Sequence, residues 1–417
     1  MSNVRQRKPI SVTTKPERPG DEDVQPNARW SLLCKIVLFV FIILPFTCLL
    51  ACIVLIESPI NPEPITDSLP EPPKLEGPLA QNDLLVFQGE RLFEGQVIGA
   101  ESIVYQSGHL YTGTADGKIL HIDLMTKIID TVTTLGPPPC GQIIDEKRCG
   151  RPLGMRFDKD GYLIVVDAYL GMYKINVASR DAFQLFPGSM KVDGKKLGVL
   201  NDLDIASDGT IYFTETTPYR RENFMLEFLE GRAQGRLLKY DPAENKTEVL
   251  YKNLYFPNGV QLSKDDSYLL ICETSKARII KYHISGPKQG TIEMFAENLP
   301  GLPDNIRRSS GGGYWVAFGA CRDAERFNLL DKLQPYPWIR KQLAKIPARF
   351  LISTFPACTL IIEFDKEGNI IRSLKDPNGE KFSYLSEVHD DAGYLYLGSF
   401  IVPYIGKVNT YKKPVVG

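Results

Sequence analysis

The chain lacks the short motifs on which many hydrolases are built. Its 417 residues contain no G-x-S-x-G elbow, no H-E-x-x-H, no G-x-G-x-x-G and no phosphate-binding loop. An α/β-hydrolase and a zinc hydrolase are thereby disfavoured. It also lacks a charge of one sign: a net charge of −1 gives no basis for a nucleic-acid partner. No long amphipathic helix dominates the part beyond residue 85, and the average composition excludes collagen, wholesale disorder and a multi-pass membrane protein.

Charge is missing altogether from one stretch. Residues Ile36 to Ile56 (IVLFVFIILPFTCLLACIVLI) run for 21 positions without it, enough for a helix to cross a hydrocarbon core of about 30 Å. Signal peptides have shorter apolar regions and a small-residue cleavage site, so residues 31–56 read as a retained transmembrane signal anchor with Trp30 at the interface and Pro45 kinking the helix. Before the run stand Arg5, Arg7, Lys8, Lys15, Arg18, Arg29 and Lys35. After it no basic residue appears until Lys74, while Glu57, Glu63, Asp67 and Glu71 intervene. The positive-inside rule then predicts a single-pass type II protein: N-terminus cytoplasmic, the rest lumenal or extracellular, at the endoplasmic reticulum, plasma membrane or cell surface. Residues 1–30 read as a disordered cytoplasmic tail, and seven prolines between Pro59 and Pro78 make 57–84 a stiff stalk.

That compartment permits disulfides and glycans. Cys34, Cys48 and Cys52 belong to the span, leaving Cys140, Cys149, Cys272, Cys321 and Cys358. Cys140 and Cys149 bracket a polar loop and are the expected bridge. Cys272, in YLLICET, reads as a buried strand thiol, and an odd count leaves at least one cysteine free. Asn245-Lys246-Thr247 is the sole N-x-[ST] sequon and lies in a polar turn, so Asn245 is the expected glycosylation site.

Beyond residue 85, short β-rich runs alternate with Gly, Asp and Asn turns. Six hairpins turn at Gly108, Gly161, Gly209, Asp266, Gly312 and Gly393, in steps of 53, 48, 57, 46 and 81 residues. A period near 50 with about four strands per unit marks a propeller blade. The expected fold is therefore all-β, a six-bladed β-propeller over 85–417 preceded by one transmembrane helix. Residues 85–88 (LVFQ) or the C-terminal strand would complete the shared blade. The long last step holds an insertion at about 319–357, where Leu329, Leu330, Leu333, Trp338, Ile339, Leu343 and Ile346 approximate an apolar stripe beside Arg340, Lys341, Lys345 and Arg349. A helical flap over one channel mouth is expected there, with contact to a membrane or a hydrophobic substrate as its sharper reading. A second excursion at 220–231 shapes the rim.

Glu101, Asn201, Asn258 and Asp304 each stand seven or eight residues ahead of a hairpin turn. On stacked blades such a register points all four side chains into one channel. In the same register blades two and six carry Gly154 and Ser386, neither a strong ligand, and Asn305 adds a fifth oxygen beside Asp304. Two carboxylates with amide oxygens suit Ca2+ better than Zn2+, which prefers His or Cys.

The words AESI (100–103), CGRPLG (149–154), VVDAYLG (165–171), NDL (201–203), FPNGVQLS (256–263), GLPDNIR (301–307) and LYLGSF (395–400) resemble the strictosidine synthase-like branch of six-bladed propellers across nearly the whole chain. The wider superfamily includes paraoxonases, gluconolactonases and diisopropylfluorophosphatases, calcium-dependent hydrolases with the ion in the central tunnel. The resemblance implies that Glu101, Asn201, Asn258, Asp304 and Asn305 are calcium ligands. It also has departures. Where strictosidine synthases depend on a glutamate this chain has Ser386, which argues against Pictet-Spengler condensation. Where paraoxonases use a histidine it has Ala168, and Ser102 replaces an aspartate of their second calcium site although Asp202 remains.

A Ca2+ with open positions polarises an ester or lactone carbonyl. Asp304 is the expected base or nucleophile, or else purely a ligand, and His389 is expected in a strand or turn. Two classes of function follow: a membrane-anchored, calcium-dependent arylesterase or lactonase acting on a small ester or lactone, or a propeller with structural calcium whose rim binds protein partners.

Overall fold

The computed structural model describes residues 28–65, 68–141, 145–322, 329–352 and 358–411. It divides into two compact units, Met1–Glu57 and Ser58–Gly417. In the first, helical turns run from Ala28 to Leu55, with π-helical turns at Phe39–Ile43. Pro45 lacks an amide hydrogen and its ring crowds the carbonyl four residues earlier, at Phe41; widening the turn there relieves the clash. Its 32–49 stretch is long and apolar enough to cross a membrane.

The second unit is a six-bladed propeller. Five of its sheets run in chain order from inner to outer strand: 103–134, 152–187, 199–254, 257–296 and 301–376. The sixth, 385–409, takes its outermost strand from the front of the chain. Each innermost strand packs against that of the next blade, and Ile103–Gln106 meets both Pro152–Phe157 and Leu385–Asp391, so the ring closes. The closing strand is Gly89–Leu92, antiparallel to Ile405–Asn409 in the register Gly89↔Val408. Residues 85–88, expected as a strand, belong instead to the helix Leu84–Gln88. Short apolar runs carry no decisive period, and Leu85 is fully buried in the core of the last blade. A Cβ at Gly89 would fall 2.4 Å from the Phe382 ring, so only glycine lets the chain turn there from helix to strand.

The core lies between blades. Leu163 and Val165 face the first blade while Ile164 and Val166 face the third, so one strand feeds two interfaces by simple alternation. Such a strand reads as a continuous apolar run because neither face meets water. Cys272 is buried at one such interface. Cys140 pairs with Cys149 as expected, and Cys321 pairs with Cys358, leaving Cys272 as the free thiol of this unit.

Two expectations about the periphery need correction. The Pro-rich segment does not stand clear of the propeller from residue 58 onward. Ile60 and Leu79 are buried, the Leu69 amide donates to Gln334 Oε1 at 2.9 Å, and Arg322 donates to the Pro70 carbonyl at 2.8 Å. Prolines stiffen a chain without preventing its apolar neighbours from packing. In the insertion, the elements are Leu329–Leu333, Pro337–Leu343 and Ala348–Ile352. Leu333, Ala344 and Leu351 are buried, whereas Trp338 is 67% exposed. Pro337 and Pro347 break the segment into short helices, so one stripe cannot continue across it.

Candidate metal centre in the propeller channel

The innermost strands are irregular at one shared place. Residues 153–154 occupy the space between the pairs Pro152↔Asp167 and Met155↔Val165, where the partner strand has only Val166. The same two-against-one bulge holds Asn201-Asp202, Asn258-Gly259 and Asp304-Asn305, while Ser386 is the single extra residue in the last blade. A bulge interrupts the two-residue alternation and re-aims side chains. Both residues of each pair are nearly or fully buried.

The first residues of these pairs, with Glu101, form the floor of a cavity. Its lining comes from all six blades and includes Glu101, Leu153, Asn201, Asn258, Asp304 and Phe400. All four predicted ring residues are therefore brought together. Asn305 lies behind them, fully buried, its Nδ2 donating to Glu101 Oε1 at 3.1 Å. The second blade's member is Leu153, not Gly154. A constant step of eight residues to the turn gives Leu153 in the doubly bulged strands, whereas a step of seven lands on the residue behind it. A Cβ at Gly154 would approach Asp202 Cα to 2.6 Å, so glycine there lets the neighbouring bulge pack close. Ser386 faces away from the cavity, donating from Oγ to the Glu101 carbonyl at 2.6 Å and holding the start of the first blade. Thr214 and Thr274 do similar work, donating to the carbonyls of Asn258 and Pro303 at 2.7 Å each.

The donor set has an unmet need. Glu101 Oε2, Asn201 Oδ1, Asn258 Oδ1 and Asn305 Oδ1 are buried and accept no hydrogen bond. An acceptor left bare costs about 1–3 kcal/mol. Four in one place, beside the Asp304 carboxylate, fit a hard cation bound through oxygen and do not fit a metal that selects nitrogen or sulfur. Burial first, then the Asp202 and Glu387 charges, raises the Glu101 carboxyl to about 7. Burial and the charges of Glu101, Glu387 and Asp202 likewise hold Asp304 well above the usual range.

A second storey lies behind this floor, and the sequence reading missed its key residue. Arg307 grips Asp202 with both ends of its guanidinium, Nη1 to Oδ2 at 2.7 Å and Nη2 to Oδ1 at 3.1 Å. Nη2 also meets Glu387 Oε2 at 2.5 Å. Ser102 Oγ donates to the same Glu387 oxygen at 3.0 Å. The turn-based register does not point to Arg307, which follows Asp304 by three in a strand whose bulge displaces the alternation. Ala168 is buried with Leu153 and Val199. His389 lies in the strand Leu385–Asp391, outside the cavity lining, with burial holding its ring near 4.

Over the floor, Phe224, Met225 and Phe228 from the 220–231 excursion and Ile352 from the insertion form apolar walls. Phe228 packs against Phe256 with ring centres 4.5 Å apart and planes tilted by 35°, and Arg340 donates to the Leu229 and Glu230 carbonyls at 2.9 and 3.1 Å. The two excursions thus form one lid. Arg221 also reaches the lining, paired with Glu146 at 2.7 Å.

Comparison with known proteins agrees with this architecture. Residues 201–287 match the family model for strictosidine synthase, and 77–122 match that for the N-terminal part of strictosidine synthase-like proteins. Among solved structures, a gluconolactonase from Xanthomonas campestris superposes with a TM-score of 0.53 at 17% identity, covering 83% of this chain and 99% of that one. A calcium-binding protein, regucalcin, from Agrobacterium tumefaciens gives 0.50 at 12%, covering 76% and 92%. These share the propeller fold. The adipocyte plasma membrane-associated protein of Gallus gallus is 42% identical over 97% of this chain and 98% of its own length. That of Homo sapiens is 39% identical over 97% and 98%. With this bulged ring and identity of that extent, the chain belongs to the family of the adipocyte plasma membrane-associated proteins, strictosidine synthase-like six-bladed propellers.

Proposed function

We propose that the protein is a membrane-anchored, calcium-dependent hydrolase of carboxylic esters or lactones. The observation that carries this reading is the set of bare, buried acceptor oxygens of Glu101, Asn201 and Asn258 at the floor of a largely apolar cavity, with that of Asn305 just behind them. Glu101, Asn201, Asn258, Asp304 and Asn305 would hold the ion. Bound Ca2+ supplies a Lewis acid for the scissile carbonyl. The chain does the rest. Phe224, Phe228 and Phe256 seat the acyl or aryl part of the substrate and exclude bulk water, and the Asp304 carboxylate accepts the proton of an attacking water. The apolar helix serves as the anchor, with the propeller lumenal or extracellular. The two disulfides suit that side of the membrane, and Asn245, exposed in a turn between two strands, would carry a glycan there.

The test is hydrolysis of phenyl acetate and small lactones by the full-length chain in lipid nanodiscs, with and without a chelator. Glu101→Ala and Asp304→Ala should each lower the rate at least about a hundredfold, the effect of losing one transition-state electrostatic contact. Equal activity in the wild type, both variants and the chelated protein would overturn the proposal. A second reading rests on Ala168, buried with Leu153 and Val199 at the position where the resemblance to paraoxonases implies a histidine. On that reading the ion is structural and the rim binds protein partners. Loss of thermal stability on chelation, with no hydrolysis at any calcium level, would favour it.

A further inference from the structure

We infer that the outer face of the lid docks on the lipid bilayer from which the chain emerges, so that the cavity takes a lipophilic ester partitioned into that membrane. This rests on the anchor proposed above and deepens it. The first observation is covalent. The apolar run ends at Ile56, and only four residues later Ile60 is 3% exposed, locked among Met225, Leu229, Ala344 and Leu351 of the lid. Four extended residues span at most about 14 Å, about twice the headgroup zone of roughly 5–7 Å on each side of the hydrocarbon core. The following residues keep the strap on the lid. Arg340 donates to the Glu63 carbonyl, Lys341 Nζ to Asn61 Oδ1 at 3.3 Å, and Arg232 to the Asn61 carbonyl at 3.0 Å. The start of the second unit is therefore built into the core of the lid.

The second observation is chemical. Trp338, Phe350 and Tyr336 stand 67%, 55% and 50% exposed on the insertion, with exposed Ile346 and Lys341 near them in sequence. An indole and a phenol with one wet end are the side chains that membrane interfaces favour. The inner side of the same lid supplies the apolar cavity walls Phe224, Met225, Phe228 and Ile352. A soluble substrate would need none of the outer apolar groups. A membrane-resident one would meet them first.

The experiment uses the full-length chain in phosphatidylcholine vesicles. Tryptophan emission is recorded for the wild type and Trp338→Phe in plain lipid and in lipid brominated along its acyl chains. The difference between the two proteins reports Trp338 alone. We expect brominated lipid to remove at least half of that difference signal. A chain that resists alkaline carbonate extraction yet shows an unquenched difference would overturn docking and leave the anchor standing; a chain that carbonate releases would overturn both. Trp338→Asp with Phe350→Asp should slow a long-chain ester held in the vesicles at least tenfold while changing phenyl acetate hydrolysis less than twofold. Equal effects on the two substrates would refute the lipophilic substrate. Absence of all hydrolysis would count against the hydrolase reading while leaving the quenching result to decide docking.

Discussion

Replacing Arg307 with methionine isolates the electrostatics of the channel's inner storey. The guanidinium is the shared partner of two fully buried carboxylates, Asp202 and Glu387. After the change Asp202 keeps the Val260 amide at 2.9 Å and a more distant Arg156 at 3.7 Å. Glu387 keeps only Ser102 on Oε2, and its Oε1 already lacks a partner. Removing one member of a buried ion pair typically costs about 3–5 kcal/mol, because the remaining charge stays desolvated. At roughly 2 °C per kcal/mol for a domain of this size, the midpoint of thermal unfolding should fall by about 6–10 °C. Arg307→Lys should lose less, since charge survives but the two-pronged grip on Asp202 does not. Differential scanning fluorimetry on the full-length protein in detergent reads both. If the Glu387→Gln change is added to Arg307→Met, part of the loss should return, because one unpaired charge has gone. A shift below about 2 °C for Arg307→Met, or no recovery in the double variant, would refute the view that this arginine neutralises the inner carboxylates.

Two further predictions concern the bulges and the lid. Gly154→Ala drives a methyl group to 2.6 Å from Asp202 Cα, into backbone that cannot swing aside; a loss of about 1–3 kcal/mol in urea unfolding and weaker calcium-induced stabilisation are expected. Glu227, a buried residue of the lid helix Met225–Glu230, accepts from Thr217 at 2.9 Å and Gln234 at 3.3 Å on one oxygen while the other has no partner. Burial chiefly, with Glu230 adding to it against the Thr217 hydrogen bond, raises its carboxyl to about 8. The folded state then holds a proton that the unfolded state releases near 4.5, so stability is full below that value, falls as pH rises toward 8, and levels off above it. Glu227→Gln should flatten the midpoint between pH 5 and 8, and an unchanged slope would contradict the assignment.

The propeller was legible because hairpin turns carry glycine or aspartate at a recurring interval, and the oxygen ring because its members keep a nearly constant distance from those turns. What escaped notice has physical causes. Leu153 and Gly154 exchange places because a bulge adds a residue that a turn-based count cannot see. Arg307 escaped because its partners come from the third and sixth blades, far away in sequence. Trp338 belongs to no single apolar stripe, because Pro337 and Pro347 break the helical spacing of the insertion. The bridge Cys321–Cys358 could not be chosen over pairings with Cys272 until strand positions placed Cys272 inside an interface.

The bulges give the channel two storeys, and the charges divide unequally between them. In the inner storey Asp202 and Glu387 share a guanidinium that the chain itself provides. In the outer storey Glu101 and Asp304 have amides for neighbours and burial for surroundings, and the charges of Asp202 and Glu387 add to their cost of ionisation. Two buried carboxylates in such a place must either take up protons or be neutralised from solution. A divalent cation neutralises both at once and gives the bare oxygens of Asn201, Asn258 and Asn305 a partner, which protonation alone does not. Because Arg307 already occupies the space between the inner carboxylates, an ion arriving from the lid side would stop at the outer storey, next to the apolar walls where a substrate would be held.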